Sequence, residues 1–271
     1  MKIGVLVLLD SLEIDAKIKQ VKDLGFECCQ ICCWDKTFMT DEVAQAINEA
    51  CKKYNVEIST FWCGYWGPSE WNFYEGPLTL GLVPAEYRSE RVKELMQGSD
   101  FAKKLGVKNL ATHVGFIPEV PYSKEYQEVV CAIRLLAQYC KKNDQYFLFE
   151  TGQETPVTLR RTIEDVGTGN LGINLDPANL ILYGKANPVD ALDVFGEYVR
   201  DVHAQDGKYP TDGRNLGEET PLGEGKVNVP ALIKRLKEVG YDGTIIIERE
   251  ISGEEQTRDI LKAKKLLEEL I

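Results

Sequence analysis

Four residues that can bind a divalent metal each stand at or near the end of a short apolar run. Glu150 ends FLFE, Asp176 follows INL, His203 lies within VRDVHAQD, and Glu248 ends IIIE. Three carboxylates and one imidazole suit Mn²⁺, Mg²⁺, Co²⁺ or Zn²⁺ and leave positions for substrate oxygens. Without a cation such a carboxylate cluster is costly, because like charges a few ångströms apart cannot all ionise cheaply. The residue types therefore predict one divalent-metal site, although each residue alone has a structural explanation as a helix cap, a core histidine or a solvated acid.

The elements that must position these residues alternate between short apolar runs and longer amphipathic segments. Eight runs have the composition of strands, and they are residues 2–9, 27–34, 57–63, 107–115, 146–152, 171–177, 199–206 and 243–250. Segments with helical spacing, such as 89–106, lie between them, and Gly25, Gly106 and Gly240 are typical of helix C-termini. Eight strand-helix units predict an α/β fold, a single (β/α)₈ TIM barrel over residues 1–271. A doubly wound sheet would ordinarily have a glycine-rich loop after an early strand, and LLDSLE has no glycine.

The barrel prediction places the four candidate ligands side by side, because the carboxyl ends of parallel barrel strands meet at one rim. Two long loops, 64–86 and 207–228, follow strands and are expected on the same face. The first is rich in aromatic residues, with Trp66 as the candidate substrate contact among Tyr65, Trp66, Trp71, Phe73 and Tyr74. These side chains could form a lid or wall over a ligand or an oligomer contact, and the sequence does not choose between the two.

Composition excludes several classes of partner. The formal net charge of −11 opposes binding of nucleic acid, which depends on clustered lysine and arginine. No apolar run approaches the roughly 18 residues of a membrane span, and the first residues lack the basic region and cleavage site of a signal peptide. We therefore expect a cytoplasmic protein that binds a small polar substrate or a metal ion and has no nucleic-acid or membrane partner. The sequence leaves open whether the chain forms a homodimer or a homotetramer.

The eight cysteines predict no metal site of their own. Cys28, Cys29, Cys32 and Cys33 lie within one run of strand composition, where adjacent residues point to opposite faces. Such a run cannot gather all four thiolates around one ion. Reduced cysteines acting as small apolar residues are expected instead.

The motifs together carry a resemblance to a known family. The series FLFETG, INLDPAN, DVHAQD, LGEGKVN and TIIIERE, preceded by ATHVGF, resembles the xylose isomerase-like TIM-barrel superfamily of sugar phosphate isomerases and epimerases. Within that superfamily it is most similar to the ketose 3-epimerase and hydroxypyruvate isomerase group. The resemblance spans nearly the whole chain. It implies one metal ion, with Mn²⁺ expected first, bound by Glu150, Asp176, His203 and Glu248, and it makes Glu150 and Glu248 the acid/base catalysts.

The resemblance implies a small-molecule carbohydrate substrate, and the expected reaction is proton transfer through an enediolate. A metal bound to a carbonyl and its neighbouring hydroxyl acidifies the adjacent carbon, one glutamate removes the proton and the other returns it. Return to the opposite face gives an epimer, and return to the neighbouring carbon gives an isomer. A dehydratase acting on an inosose or a similar cyclic ketone is the alternative, followed by a sugar-binding barrel without catalysis. An endonuclease of this superfamily is disfavoured, because that branch needs several more histidines than the two present.

Four further residues are expected to contact the substrate. His113, in ATHVGF, stands where many family members have a histidine that points into the site. Asn179 stands three residues after the metal-binding aspartate, where epimerases of the family have a histidine, and Asp206 and Lys208 occupy the segment where an arginine is common. Charge for a phosphorylated sugar could come from three loop residues that are otherwise solvated, Lys208, Arg214 and Lys226.

Overall fold

The computed structural model describes all 271 residues, and eight parallel strands form its centre. The barrel strands are β1 (Lys2–Leu8), β2 (Cys28–Cys33), β3 (Glu57–Cys63), β4 (Asn109–Thr112), β5 (Tyr146–Glu150), β6 (Leu171–Leu175), β7 (Val199–Ala204) and β10 (Thr244–Ile247). They are hydrogen-bonded in chain order, and β10 pairs with β1 to close the barrel. Two short strands, β8 (Asp206–Gly207) and β9 (Glu219–Thr220), form an antiparallel pair outside it. The predicted TIM barrel is confirmed.

Ten helices connect or flank the strands. They are α1 (Ile14–Asp23), α2 (Asp41–Tyr54), α3 (Gly76–Thr79), α4 (Ala85–Lys104), α5 (Lys124–Lys142), α6 (Pro156–Val166), α7 (Pro177–Leu182), α8 (Pro188–Phe195), α9 (Val229–Glu238) and α10 (Glu254–Leu270). Gly25, Gly106 and Gly240 follow α1, α4 and α9 with φ of 81°, 74° and 81°, as predicted for helix ends. No helix combines the length and the apolar character that crossing a bilayer requires.

Most of the apolar core lies between the barrel and its helices. It is one cluster of 62 buried residues, in which strand residues pack against helical ones, as Phe61 of β3 does against Phe101 of α4. A second, small cluster fills part of the barrel interior and consists of Cys32, Trp62, Ala111 and Leu148. The remaining interior positions include polar side chains, and these lie beneath the site described below.

The cysteines behave as predicted. Cys28, Cys29, Cys32 and Cys33 are buried free thiols, and the chain contains no disulfide. Cys29 and Cys33 belong to the core outside the barrel, whereas Cys32 belongs to the interior cluster. The run therefore divides between two faces of β2, and its four thiols do not converge on one point.

Candidate metal centre and substrate cavity

The barrel brings the four predicted metal ligands together at the carboxyl ends of β5, β6, β7 and β10. One ligand atom from each of four side chains lies within 4.8 Å of the others, and these belong to Glu150, Asp176, His203 and Glu248. Nδ1 of His203 is central, since it lies 2.6 Å from Oε2 of Glu248 and 3.4 Å from Oδ2 of Asp176. Its distance from Oε1 of Glu150 is 3.6 Å. The side chain of Glu248 is 14% exposed and the other three are buried.

Asp176 combines a structural role with a free oxygen. It is the N-cap of α7, and its Oδ1 accepts a hydrogen bond of 2.9 Å from the backbone N–H of Asn179. Its backbone N–H donates to Oγ1 of Thr151, and the same hydroxyl donates to the Asp176 carbonyl. Because Thr151 directly follows Glu150, this pair ties the ends of β5 and β6 together. Oδ2 of Asp176 is left facing the cluster without a hydrogen-bond partner.

Glu150 is held from one side only. Its Oε2 accepts hydrogen bonds from the indole Nε1 of Trp62 and, at 3.0 Å, from Nδ2 of Asn174. Its Oε1 lies 3.4 Å from Nε2 of His113. One oxygen is therefore fixed by neutral donors, and the other is directed toward the two histidines of the chain.

The electrostatics of the cluster are those of an anionic site. Burial is the largest effect that raises the pKa of Glu150, and the carboxylates of Glu248 and Asp176 raise it further. Burial alone would lower the pKa of His203, but the surrounding carboxylates outweigh it and raise that pKa well above its ordinary value. A positive charge at the position of His203 Nδ1 is thus strongly favoured, whether it is a proton or a metal ion.

The donor set fits a divalent cation. Three atoms of the cluster are buried without a directed hydrogen bond, namely Oδ2 of Asp176, Nδ1 of His203 and Oε2 of Glu248. Buried polar atoms are ordinarily paired by directed hydrogen bonds, and these three instead face one another, as ligands of a shared cation would. Carboxylate oxygens and one imidazole nitrogen are ligands that Mn²⁺, Mg²⁺, Co²⁺ and Zn²⁺ accept. These four residues are the ones that would hold the ion.

A cavity of about 300 Å³ lies over the cluster. Its wall includes three indole rings, and Trp34 packs against Trp62 at 5.0 Å and against Trp71 at 6.2 Å between ring centroids. Trp71 also lies 5.2 Å from the His113 ring. Aromatic walls with a few directed polar groups are typical of small-molecule sites.

The two long loops form the roof of this cavity. The backbone N–H of Phe73 donates to the carbonyl of Arg214 at 2.9 Å, and Asn72 forms an isolated antiparallel bridge with Asn215. Trp71, from the first loop, and Leu216, from the second, both line the cavity. Through Trp71, the aromatic loop forms part of the cavity wall, which is one of the two roles that the sequence left open for it.

Two of the predicted substrate contacts, His113 and Asn179, line the cavity. His113 is 6% exposed, and burial lowers its pKa to about 4. Its imidazole is therefore neutral near pH 7 and can donate or accept a hydrogen bond without adding charge.

The other three predicted contacts do not reach the cavity. Both carboxylate oxygens of Asp206 are occupied by backbone N–H groups, since Oδ1 accepts from Gly207 and Val227 and Oδ2 from Gly223 and Gly225. The Asp206 carboxylate therefore holds the loop 221–227 in place, and both of its oxygens already have hydrogen-bond donors. Lys208 is exposed on the β8–β9 hairpin.

Trp66 also lies outside the cavity. It is 56% exposed and packs against Tyr87. It points outward although it belongs to the same loop as Trp71, which lines the cavity.

The structure adds site residues that the sequence interpretation missed. Trp34, Trp62 and Tyr183 line the cavity, and Glu250 supplies a third carboxylate to its wall. Asn174 contacts Glu150 from within the barrel. A usable signal for Asn174 was its position two residues before Asp176, because alternate strand residues share a face.

Glu154, in the turn between β5 and α6, is a buried glutamate that should make stability depend on pH. Glu154 is 3% exposed, neither of its carboxylate oxygens has a hydrogen-bond partner, and burial raises its pKa to about 8. A folded-state pKa above the unfolded one stabilises the fold at low pH, and this stabilisation is lost as the pH rises through about 8. Between pH 5 and pH 8, Glu154→Gln should lose less unfolding free energy than the wild type, by a few kcal/mol. Chemical denaturation at both pH values measures this; equal losses in the two proteins would contradict it, and the exposed Glu164→Gln is the control.

Comparisons with known proteins agree with this architecture. A family model described as xylose isomerase-like TIM barrel matches residues 18–270. An uncharacterized protein of Methanocaldococcus jannaschii is 26% identical over 286 residues, which cover 100% of this chain and 89% of that protein. The crystal structure of a xylose isomerase domain protein from Planctomyces limnophilus superposes with a TM-score of 0.93 at 36% identity, covering 99% and 96% of the two chains.

A more distant structure shares the fold alone. The crystal structure of a D-tagatose 3-epimerase-like protein gives a TM-score of 0.77 at 24% identity and covers 100% of this chain and 97% of that one. The closed barrel, its ligand cluster and the family match over nearly the full length support one assignment. The chain belongs to the xylose isomerase-like TIM barrel family.

Proposed function

We propose that the protein is a divalent-metal-dependent isomerase or epimerase of a small keto sugar. The observation that carries the proposal is the convergence of Glu150, Asp176, His203 and Glu248 beneath an aromatic cavity. A site that only bound sugar would have no chemical need for two glutamates at one metal position. Proton transfer next to a carbonyl needs both a base and an acid, and the site has a candidate for each.

Different residues of the site transfer the proton, bind the substrate and exclude water. When bound, the cation would polarise the substrate carbonyl and its neighbouring hydroxyl and stabilise the enediolate. Glu248, whose side chain is partly exposed to the cavity, and Glu150, held by Trp62 and Asn174, are the two proton carriers. One removes the proton from the carbon next to the carbonyl, and the other returns a proton from the opposite side. The neutral His113 hydrogen-bonds a sugar hydroxyl, and the indoles exclude water from the reacting carbon.

The test is a panel of ketoses in D₂O with added Mn²⁺ and, in parallel, with chelator. We expect deuterium at carbon in a product of unchanged formula, and loss of turnover with chelator. Loss of one water from the product would instead identify a dehydratase. Turnover that persists in chelator, or failure of the purified protein to take up any divalent metal, would contradict the proposal.

The charges of the cavity favour a neutral sugar over a sugar phosphate. Its wall contains Glu150, Glu248 and Glu250 but no lysine or arginine. A second cavity of about 500 Å³ shares residues with the first and is lined by Lys17 and Arg249. Lys17 is paired with Asp10 at 2.6 Å, and Arg249 is paired with two carboxylates, Glu219 and Asp259. Neither cation is free to neutralise a phosphate.

We therefore expect a ketohexose to be turned over in preference to its terminal phosphate. Because like-charge juxtaposition costs several kcal/mol, kcat/KM for the phosphate should be lower by roughly tenfold or more. Parallel steady-state assays of the matched pair measure the ratio. A phosphate that is turned over faster than the free sugar would show that one of the paired cations is released for substrate.

A further inference from the structure

Gln30 lies inside the barrel against His203, on the side of the imidazole that faces away from the carboxylates. It is fully buried in the middle of β2. Its Oε1 is 2.8 Å from Nε2 of His203, and its Nε2 is 3.2 Å from Oδ2 of Asp201. The glutamine thus bridges the histidine to a carboxylate that takes no part in the metal cluster.

Asp201 fixes the orientation of the Gln30 amide. Its carboxylate is completely buried and accepts hydrogen bonds from three hydroxyls, those of Ser59, Thr60 and Thr244. The second group near the Gln30 amide nitrogen is Oδ1 of Asn174, at 3.5 Å, which is also an acceptor. A flipped amide would place its oxygen against two acceptor oxygens. The amide nitrogen therefore faces Asp201, and the amide oxygen faces His203.

This orientation decides which ring nitrogen of His203 carries hydrogen. Oε1 of Gln30 can only accept, so Nε2 of His203 must donate, and a neutral ring then has its lone pair on Nδ1. Asn174 exerts the opposite preference, because its Nδ2 lies 3.0 Å from the same Nε2 and can donate to it. Nδ2 of Asn174 has another acceptor in Glu150, whereas Oε1 of Gln30 faces His203 at the shorter distance.

We infer that Gln30, oriented by Asp201, is a positioning residue that keeps the hydrogen of His203 on Nε2 and so leaves Nδ1 free to bind a divalent cation. The inference rests on the metal site of the proposed function. In metal sites generally, the ring nitrogen opposite the metal donates to a partner that fixes the tautomer, and losing that partner weakens metal binding roughly 10–100-fold. Without Gln30, the Asn174 amide is left as the neighbour of Nε2 and favours the tautomer that cannot bind through Nδ1.

The test compares two buried glutamines. Gln30→Met removes the acceptor with little change of side-chain length, and Gln145→Met is the matched control. Gln145 is also buried, but it precedes β5 at the end opposite Glu150 and bonds to Ser99 and Val107. Zn²⁺ is titrated into each full-length protein by calorimetry. The imidazole nitrogens are observed by ¹H–¹⁵N correlation, which is simple to assign because the chain has only two histidines.

The expected result is a roughly 10–100-fold loss of Zn²⁺ affinity in Gln30→Met, with a changed Nε2–H signal of His203, because that hydrogen no longer has Gln30 as its acceptor. Gln145→Met should keep the wild-type affinity and His203 signals even if it unfolds more easily. Wild-type affinity and an unchanged Nε2–H in Gln30→Met would overturn the inference. If that variant does not fold, the wild-type spectrum decides, because an Nε2 of His203 without hydrogen would equally overturn it. If the wild type takes up no Zn²⁺, the proposed function fails, while the position of the hydrogen in the metal-free protein still decides the role of Gln30.

Discussion

Glu248→Gln is expected to abolish turnover to the product while leaving the metal site largely occupied. Glutamine keeps an oxygen at the position of Oε2, which lies 2.6 Å from Nδ1 of His203. It cannot accept and return a proton, and general acid–base catalysis is worth about 10²–10⁴-fold in rate. Because each proton transfer of the cycle needs its own carboxylate, Glu150→Gln should lose activity to a similar extent.

The measurement is formation of deuterated product in D₂O from the ketose that the wild-type protein turns over, with metal content determined on the same samples. Glu254→Gln, at the exposed start of α10, is the control for a general effect of losing one carboxylate. Near-native product formation by either Glu150→Gln or Glu248→Gln would remove that residue from the proton relay. Loss of product formation together with loss of metal would show instead that the carboxylate is required as a ligand.

The positions of the four ligands could be predicted because barrel geometry makes strand ends converge. Each ligand follows an apolar run, and parallel strands direct their carboxyl ends to one rim, so no side-chain detail was needed. The strand ends themselves were predicted a few residues too long, as at 146–152, where β5 ends at Glu150. The residues beyond it, Thr151 and Gly152, continue the composition of the run but already belong to the turn that binds Asp176.

The aromatic wall could not be predicted from the same pattern. Both faces of a parallel barrel strand are buried, so β3 lacks the alternation of polar and apolar residues that would show which side faces inward. Phe61 and Trp62 are adjacent and similar in character, yet Phe61 packs against the helices and Trp62 lies inside the barrel. Trp66 and Trp71 differ in the same way, because the path of a loop decides which of them lines the cavity.

Polar residues inside apolar runs indicate a further part of the site, the polar layer beneath the ligands, which the sequence interpretation did not include. Gln30 interrupts a run of cysteines, and Asp201 precedes His203 by two residues, which places both on the inward face of β7. A buried polar side chain needs a partner, so each of them indicated a polar layer beneath the ligands. Asp206 was misplaced for a related reason. It lies an odd number of residues from His203, and the chain turns there into the β8–β9 hairpin.

His203→Ala is expected to weaken metal binding far more than it lowers stability. It removes the one nitrogen ligand and the group nearest to all three carboxylates. Loss of a supporting partner costs a metal site roughly 10–100-fold, so loss of the ligand itself should cost at least the upper end of that range. The fold keeps the 62-residue core outside the barrel, to which His203 does not belong.

His113→Ala is the matched comparison, because it removes the only other histidine from the same cavity. It should leave Mn²⁺ affinity close to that of the wild type and weaken substrate binding instead. Calorimetric Mn²⁺ titration and denaturant unfolding of both variants separate the two effects. A large loss of stability in His203→Ala with undiminished metal affinity would make His203 a core residue, and the metal site would then consist of the carboxylates alone. Equal losses of metal affinity in both variants would show that the two imidazoles share the ion, which the 3.4 Å contact between His113 and Glu150 makes geometrically possible.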